Sequence, residues 1–387
     1  MTHHTAARVA EIQPFYVMEI LARARELEAG GRSIIHMEIG EPDFVTPRPI
    51  IDAGKRAMDM GYTHYTSALG LGALREAIAA DYAARYQVSV SPARIIITPG
   101  ASGALLLAMA LLVDPRSRVL LADPGYPCNR HFVRLMEGEA VGIPVDAATN
   151  YQLTPELIRV HGTPSATAVL IASPSNPTGA VATVEQLNGI ADCTRRLGAA
   201  LIVDEIYHGL TYAGTAPSVL NVTDDVFVIN SFSKYYGMTG WRLGWMVVPQ
   251  RYIAAVDKLA QNIFLAAPTI AQYAALAAFD AKTTAILEQR RGEFMARRDY
   301  LLPALRDLGF HFPATPQGAF YLYAGCDGFS LDSRAFAADV LECTGVAFTP
   351  GADFGTHQAQ QHVRFAYTTS RENLEEGVKR LKKYLGV

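Results

Sequence analysis

Short runs of apolar, β-branched residues punctuate the middle of the chain, and each ends in a small polar cluster. RIIIT at 94–98, RVLLA at 118–122, ATAVLIA at 166–172, AALIV at 199–203 and VFVINS at 226–231 lack polar–apolar alternation. Strands buried on both faces read this way. Helical patterns at 102–113, 128–137 and 183–197 separate the first four runs. That alternation predicts an α/β fold with a mostly parallel sheet flanked by helices. WRLGWMVV at 241–248 follows closely as a further strand candidate, one that could run antiparallel.

The two ends differ from the middle. Residues 16–30 read as one amphipathic helix ended by Gly30-Gly31. Beyond about residue 280 a long charged helical stretch begins, followed by strand candidates at 319–323 and 362–368 and a closing helix at 371–384. The pattern predicts a large domain at 49–285 and a smaller α+β domain built from both ends: an arm and part of it from 1–48, the remainder from 286–387.

Composition narrows the class. The 387 residues carry a formal net charge of -3 with both signs interspersed. No basic tail or stripe suggests nucleic acid as a partner. Cys128, Cys193, Cys326 and Cys343 form no C-x-x-C pair and none has a His at metal-ligand spacing, so a reduced compartment and no metal site are expected. The first residues lack the apolar core of a signal peptide, and the apolar stretch at 104–113 is about half the roughly 20 residues of a membrane span. A soluble cytoplasmic protein without a membrane partner is the expectation.

Polar residues collect where ligands bind in open α/β sheets, at the carboxyl ends of the strands. Gly100-Ala101-Ser102-Gly103 follows RIIIT and opens a helix; Tyr126 follows RVLLA; Asn176 follows ATAVLIA; Asp204 and Tyr207 close AALIV; Ser231, Ser233 and Lys234 close VFVINS. The glycine turn offers backbone N–H groups at a helix N-terminus, an anion site. Ser231 adds a hydroxyl, and Arg242 a charge-assisted fork for a phosphate. Lys234 offers an amine for Schiff-base formation. Asp204 is suited to a protonated ring nitrogen, Tyr207 and Asn176 to a phenolic oxygen, and Tyr126 to stacking on a flat ring. Each residue also has an ordinary reading. A glycine turn before a helix is commonly only a turn, Asp204 a helix cap, Lys234 a surface lysine, Tyr207 a core aromatic, and Arg242 the partner of a nearby carboxylate. The joint order at successive strand ends favours the chemical reading.

S-x-S-K with an arginine eight residues on (Ser231, Ser233, Lys234, Arg242) resembles the cofactor-lysine signature of the class I/II pyridoxal-phosphate (PLP) dependent aminotransferases, the aspartate aminotransferase superfamily. SNPTG at 175–179, D-E-x-Y at 204–207, PGYP at 124–127, GEPDF at 40–44, Y-x-x-x-x-G at 65–70, PQGAFYL at 316–322 and Arg364 in VRFAYTTS resemble it too. The motifs span most of the chain.

The resemblance implies the fold type I architecture, a homodimer with shared sites, and amino-acid and 2-oxo-acid substrates exchanged in a ping-pong cycle. It implies that Lys234 holds PLP as a Schiff base and shuttles the substrate proton. Asp204 would meet the pyridinium nitrogen, Tyr207 and Asn176 the phenolic oxygen, and Tyr126 the ring face. Gly100, Ala101, Ser102, Ser231 and Arg242 would hold the phosphate, with Ser233 also binding the cofactor and Tyr65 reaching the phosphate of the neighbouring subunit. Arg364 would clamp the substrate α-carboxylate, aided by the Gly40 backbone and Asn176. Cis bonds are expected at Asn176–Pro177 and Asp123–Pro124.

The sequence departs from aspartate-specific members in lacking a distal cation. The stretch QNIFL at 261–265 has no arginine, and no lysine follows Ser102. A buried carboxylate without a cation is costly. Lys258 fits equally well on an exposed helix face, and Phe15, Tyr16 and Phe320 are candidate walls of an apolar pocket, with at least one of the three expected to be ordinary core instead. A neutral or aromatic side chain is therefore expected. The same motifs serve a carbon–sulfur lyase or a cyclopropane-forming synthase. A PLP-binding regulator would need a DNA-binding segment, and a dinucleotide binder a GxGxxG after a strand; PGASGA lacks that pattern.

Overall fold

The computed structural model describes residues 5–163 and 165–387. Among them, eleven strands form two sheets. In chain order these are β1 (Ile35–Met37), β2 (Ile95–Thr98), β3 (Arg118–Asp123), β4 (Glu139–Pro144), β5 (Ala166–Ala172), β6 (Ala200–Asp204), β7 (Phe227–Ser231), β8 (Gly244–Val247), β9 (Tyr321–Gly325), β10 (Val346–Pro350) and β11 (His362–Ala366).

The large sheet has the order β2-β8-β7-β6-β5-β3-β4, and only β8 runs against its neighbours. Its central strands are buried on both faces, as their unbroken apolar runs require. Alternate residues feed separate cores: Ile95 and Ile97 join one cluster, Ile96 the other. The helix Gly100–Leu112 covers one face together with Val256 and Ala260. The helix Val184–Leu197 starts at a capping box between Thr183 and Gln186 and stops at Gly198, which takes the left-handed conformation at φ 66°.

The smaller sheet has the order β1-β10-β11-β9. β1 pairs parallel with β10, and the remaining pairs are antiparallel. The helix Tyr16–Ala29 packs on it, while Ala281–Asp307 and Arg371–Leu385 are the charged and closing helices expected at the end. None of the described helices is long and apolar enough to cross a membrane.

Three strands were not anticipated. EAVGIP of β4 lies at the sheet edge, partly exposed, and carries no apolar run. β1 has three residues, one of them a histidine, too few for a periodicity. β10 is fully buried but is bounded so closely by Gly345 and Pro350 that its core reads as a turn.

One edge of the large sheet gathers the carboxyl ends of β2, β3, β5, β6 and β7. Because β8 is reversed, its start lies at that same edge: Gly244 is opposite both Thr98 and Ser231. Arg242, two residues earlier, is thereby delivered to the crevice.

Candidate active site

A cavity of about 390 Å³ opens at this edge. Its charged lining is Glu41, Asp204, Lys234, Arg242 and Arg364.

At one end, β2 passes into the helix Gly100–Leu112 with no side chain capping its first turn. Gly100 sits at φ 71°, and a Cβ there would lie 2.5 Å from Arg242 Nη2. A Cβ on Gly244 would lie 2.8 Å from Ala101 N. Glycine at both positions lets the β8 backbone and the Arg242 guanidinium close on the helix start. Free N–H groups, the exposed Ser102, the buried Ser231 and Ser233 and a guanidinium then face one spot. Ser231 Oγ donates to Leu243 O at 3.1 Å and accepts from Ser233 N at 3.0 Å, which ties it to the turn. Arg242 Nη1 donates to Thr239 O at 2.9 Å. Such a set can hold a dianion.

In the middle stands Lys234. Its Nζ donates to Gly40 O at 2.6 Å. Burial, helped by the Arg364 cation, pulls its pKa down to about 8. A minor but far larger fraction of the amine than in an ordinary lysine, roughly a tenth, is therefore uncharged and nucleophilic near neutral pH. Asp204 ends β6 and is buried; Oδ1 accepts from Ile206 N at 3.0 Å. Burial pushes its pKa up to about 7, against the pull of that N–H and of Lys234. A carboxylate so short of partners gains from a cationic N–H. Tyr207, also buried, has its hydroxyl 2.8 Å from that of Tyr321.

At the other end Arg364 comes from β11, buried between the rings of Tyr321 and Phe354, 4.2 and 4.8 Å from their centroids. Nη1 donates to Asn176 Oδ1 at 2.9 Å, and Nη2 to Glu38 O at 2.5 Å and Thr349 Oγ1 at 3.2 Å. Its Nε is buried without a partner. Among the described residues no carboxylate forms a salt bridge with Lys234, Arg242 or Arg364. The cavity thus presents an anion site at each end and an amine between them.

The structure brings together Gly40, Ala101, Ser102, Tyr126, Asn176, Asp204, Tyr207, Ser231, Ser233, Lys234, Arg242 and Arg364 on one lining, with Gly100 directly behind Arg242. Tyr65 lies elsewhere, 80% exposed in a shallow depression with Tyr62 and Tyr273. Asn176–Pro177 and Asp123–Pro124 are cis, as is Ser173–Pro174, which was not foreseen.

The apolar wall corrects the expectation. Phe15 lines the cavity and meets Tyr126 edge-on at 6.2 Å. Tyr16 turns away to stack under Arg334, because the helix starting there rotates successive side chains apart. Phe320 is core, edge-on behind Tyr207. Lys258 is exposed on the helix Ile253–Ile263 and does not reach the cavity. Val17, Met18, Ile39 and Leu105 complete the wall, and none carried a local signal. Tyr321 lay inside a quoted motif, PQGAFYL, but its hydroxyl contact is visible only in three dimensions.

An α/β scaffold with a lysine at strand ends between two anion sites defines a class: enzymes that capture a phosphorylated carbonyl cofactor. Comparison with known proteins agrees. The family model described as aminotransferase class I and II matches residues 32–381. A valine–pyruvate aminotransferase of Mycobacterium tuberculosis is 38% identical over 100% of this chain and 99% of its own length. An aspartate aminotransferase of Geobacillus stearothermophilus is 35% identical over 98% of each. The crystal structure of an aminotransferase from Mycobacterium tuberculosis, 38% identical, superposes over 100% of both chains with a TM-score of 0.96. The chain belongs to the class I and II aminotransferases, PLP-dependent enzymes of fold type I.

Proposed function

We propose that this aminotransferase moves the amino group of a neutral or aromatic L-amino acid to a 2-oxo acid in a ping-pong cycle at the Lys234 cavity. The observation that carries the reading is the placement of Lys234 Nζ between two arginines, Arg242 and Arg364, that have no carboxylate partners among the described residues.

The residues fit the family's cofactor. The glycine cradle under Arg242 suits its phosphate, and the partner-poor Asp204 suits a pyridinium N–H. When bound, PLP supplies the carbonyl that captures the amino group and the ring that takes up the electrons of the α-carbon. Lys234 Nζ would anchor the cofactor and, when free, would take the proton from the substrate α-carbon and carry it to the far side of the transferred nitrogen. Its lowered pKa keeps it a competent base near neutral pH. Asp204 holds the ring nitrogen charged, Tyr207 and Asn176 bind the phenolic oxygen, and Tyr126 covers the ring face. Ala101, Ser102, Ser231, Ser233 and Arg242 grip the phosphate, with Gly100 supplying the turn. Arg364 binds the α-carboxylate with a planar fork that lysine lacks. Tyr65, exposed in the single chain, reaches the phosphate site of a second copy in a homodimer.

Phe15, Val17, Met18, Ile39 and Leu105 support a neutral or aromatic side chain, because no further cation faces them among the described residues. The likeness to the valine–pyruvate enzyme points the same way. Carbon–sulfur elimination would use the same lysine, and the products separate the two. In the test, the purified holoenzyme is mixed with a panel of amino acids while its visible band is followed. Bleaching with formation of the matching 2-oxo acid is expected, fastest for branched or aromatic donors. Pyruvate with free ammonia, or a clear preference for aspartate, would overturn the reading.

A further inference from the structure

Tyr321 opens β9 and is only 1% exposed, yet it lines the cavity. Its hydroxyl is 2.8 Å from the Tyr207 hydroxyl and makes no other hydrogen bond among the described residues. Its ring lies 4.2 Å from the guanidinium carbon of Arg364. Gly40 makes room for it: a Cβ there would lie 1.7 Å from Tyr321 Oη. Tyr321 therefore touches both a residue of the cofactor end and the arginine of the substrate end.

Each tyrosine hydroxyl has one proton to give. Either can donate to the other while no ligand is present. A phenolic oxyanion beside Tyr207 claims the Tyr207 proton, and the Tyr207 oxygen is then left as the acceptor of the Tyr321 O–H. We propose that Tyr321 is a positioning residue for transamination, its hydroxyl donating to Tyr207 and aiming the Tyr207 proton at the cofactor's phenolic oxygen while its ring sets the plane of Arg364. The proposal rests on the reading of Tyr207 given above.

The sign of the effect follows from charge. Linked hydrogen bonds polarise one another, so Tyr207 is a stronger donor with Tyr321 behind it. A stronger donor draws negative charge off the phenolic oxygen. That oxygen then holds the Schiff-base proton on Lys234 Nζ less tightly, and the proton leaves at lower pH. Removing either hydroxyl raises the pH of its loss.

The test is a pH titration of the visible band of the holoenzyme in Tyr207→Phe, Tyr321→Phe and the double variant. Tyr207→Phe raises the midpoint by about one unit, the worth of one hydrogen bond to a charged group. Tyr321→Phe raises it by about 0.3 unit, the share expected of a second bond in a chain. The double variant matches Tyr207→Phe alone. Tyr321→Phe keeps the ring, so KM for donor and acceptor stays within about twofold; Tyr321→Leu removes it and raises both KM values about tenfold, the scale of a lost stacking contact. A shifted Tyr207→Phe beside an unmoved Tyr321→Phe overturns the proposal, as do additive shifts in the double variant. An unmoved Tyr207→Phe overturns the reading of Tyr207 itself, and the proposal with it.

Discussion

The floor of the cavity and its outer wall are built on different plans. Asp204, Ser231, Ser233 and Lys234 sit at or just beyond the ends of adjacent buried strands, each held by the backbone of one sheet. The wall residues Phe15, Val17 and Met18 belong to a segment that precedes the sheet by some eighty positions and packs across the mouth. Asp353 ties that segment down: Oδ1 accepts from Tyr16 N at 3.0 Å and Oδ2 from Val17 N at 3.4 Å. Arg130 in turn donates to the Asp353 carbonyl. The floor shares the fate of the largest core, whereas the wall segment packs on the smaller sheet and is tied at its start by a few polar contacts. Chemistry is thus assigned to the part that cannot shift, and substrate choice to a part that can change without disturbing it.

Substitutions on either side test this division. The largest effect is expected on the floor: Lys234→Ala lowers single-turnover conversion of a good donor by at least about 10⁴-fold. Wild-type conversion in that variant would remove Lys234 from the chemistry. Arg364→Lys keeps the charge but loses the fork, and kcat/KM falls about 100-fold for amino acid and 2-oxo acid alike. An effect on one substrate alone would show that Arg364 does not bind the group they share.

On the wall, Phe15→Ala lowers kcat/KM for a large apolar donor about tenfold and leaves alanine nearly unaffected. Equal losses for both donors would show that Phe15 serves the floor. Asp353→Ala gives up a carboxylate that caps two backbone N–H groups, at a cost of about 1 kcal/mol. It raises KM for apolar donors a few-fold with kcat held, and a fall in kcat alone would contradict that assignment.

The smallest expected effect concerns stability. Asp204 has a carboxyl pKa of about 7 in the fold against an ordinary carboxylate value in the unfolded chain. The folded state therefore binds the extra proton. The stability it contributes is complete below about pH 4 and is lost as pH rises toward 7. The amide introduced by Asp204→Asn stays neutral throughout. Between pH 4 and pH 8 the cofactor-free wild type should lose about 3 °C more in melting temperature than Asp204→Asn. Asp353, pushed up to about 6 by burial, titrates in both proteins and cancels in the difference, whereas Glu205, pushed up to about 8 by burial and further by the Asp204 charge, is relieved of that charge in the variant and adds to the same trend. Parallel curves would mean that Asp204 is better solvated than its surroundings indicate.

The sequence by itself determined the buried strands of the large sheet, its mostly parallel character and the polar clusters that close those strands. Such information is local: an unbroken apolar run signals burial on both faces, and the residue after it falls at the strand end whatever the rest of the chain does. Lys234, Asp204, Asn176 and Tyr207 were legible for that reason. Only the tertiary structure decided what depends on segments meeting. β8 had to be reversed before Arg242 reached the anion site. The rotation at the start of the helix Tyr16–Ala29 sent Phe15 inward and Tyr16 out. Tyr321 gained its place under Arg364 and against Tyr207 because β9 pairs with β11 in register and Gly40 leaves the space. Contacts between segments that are separate in the chain leave no periodicity in either, so packing alone selects them.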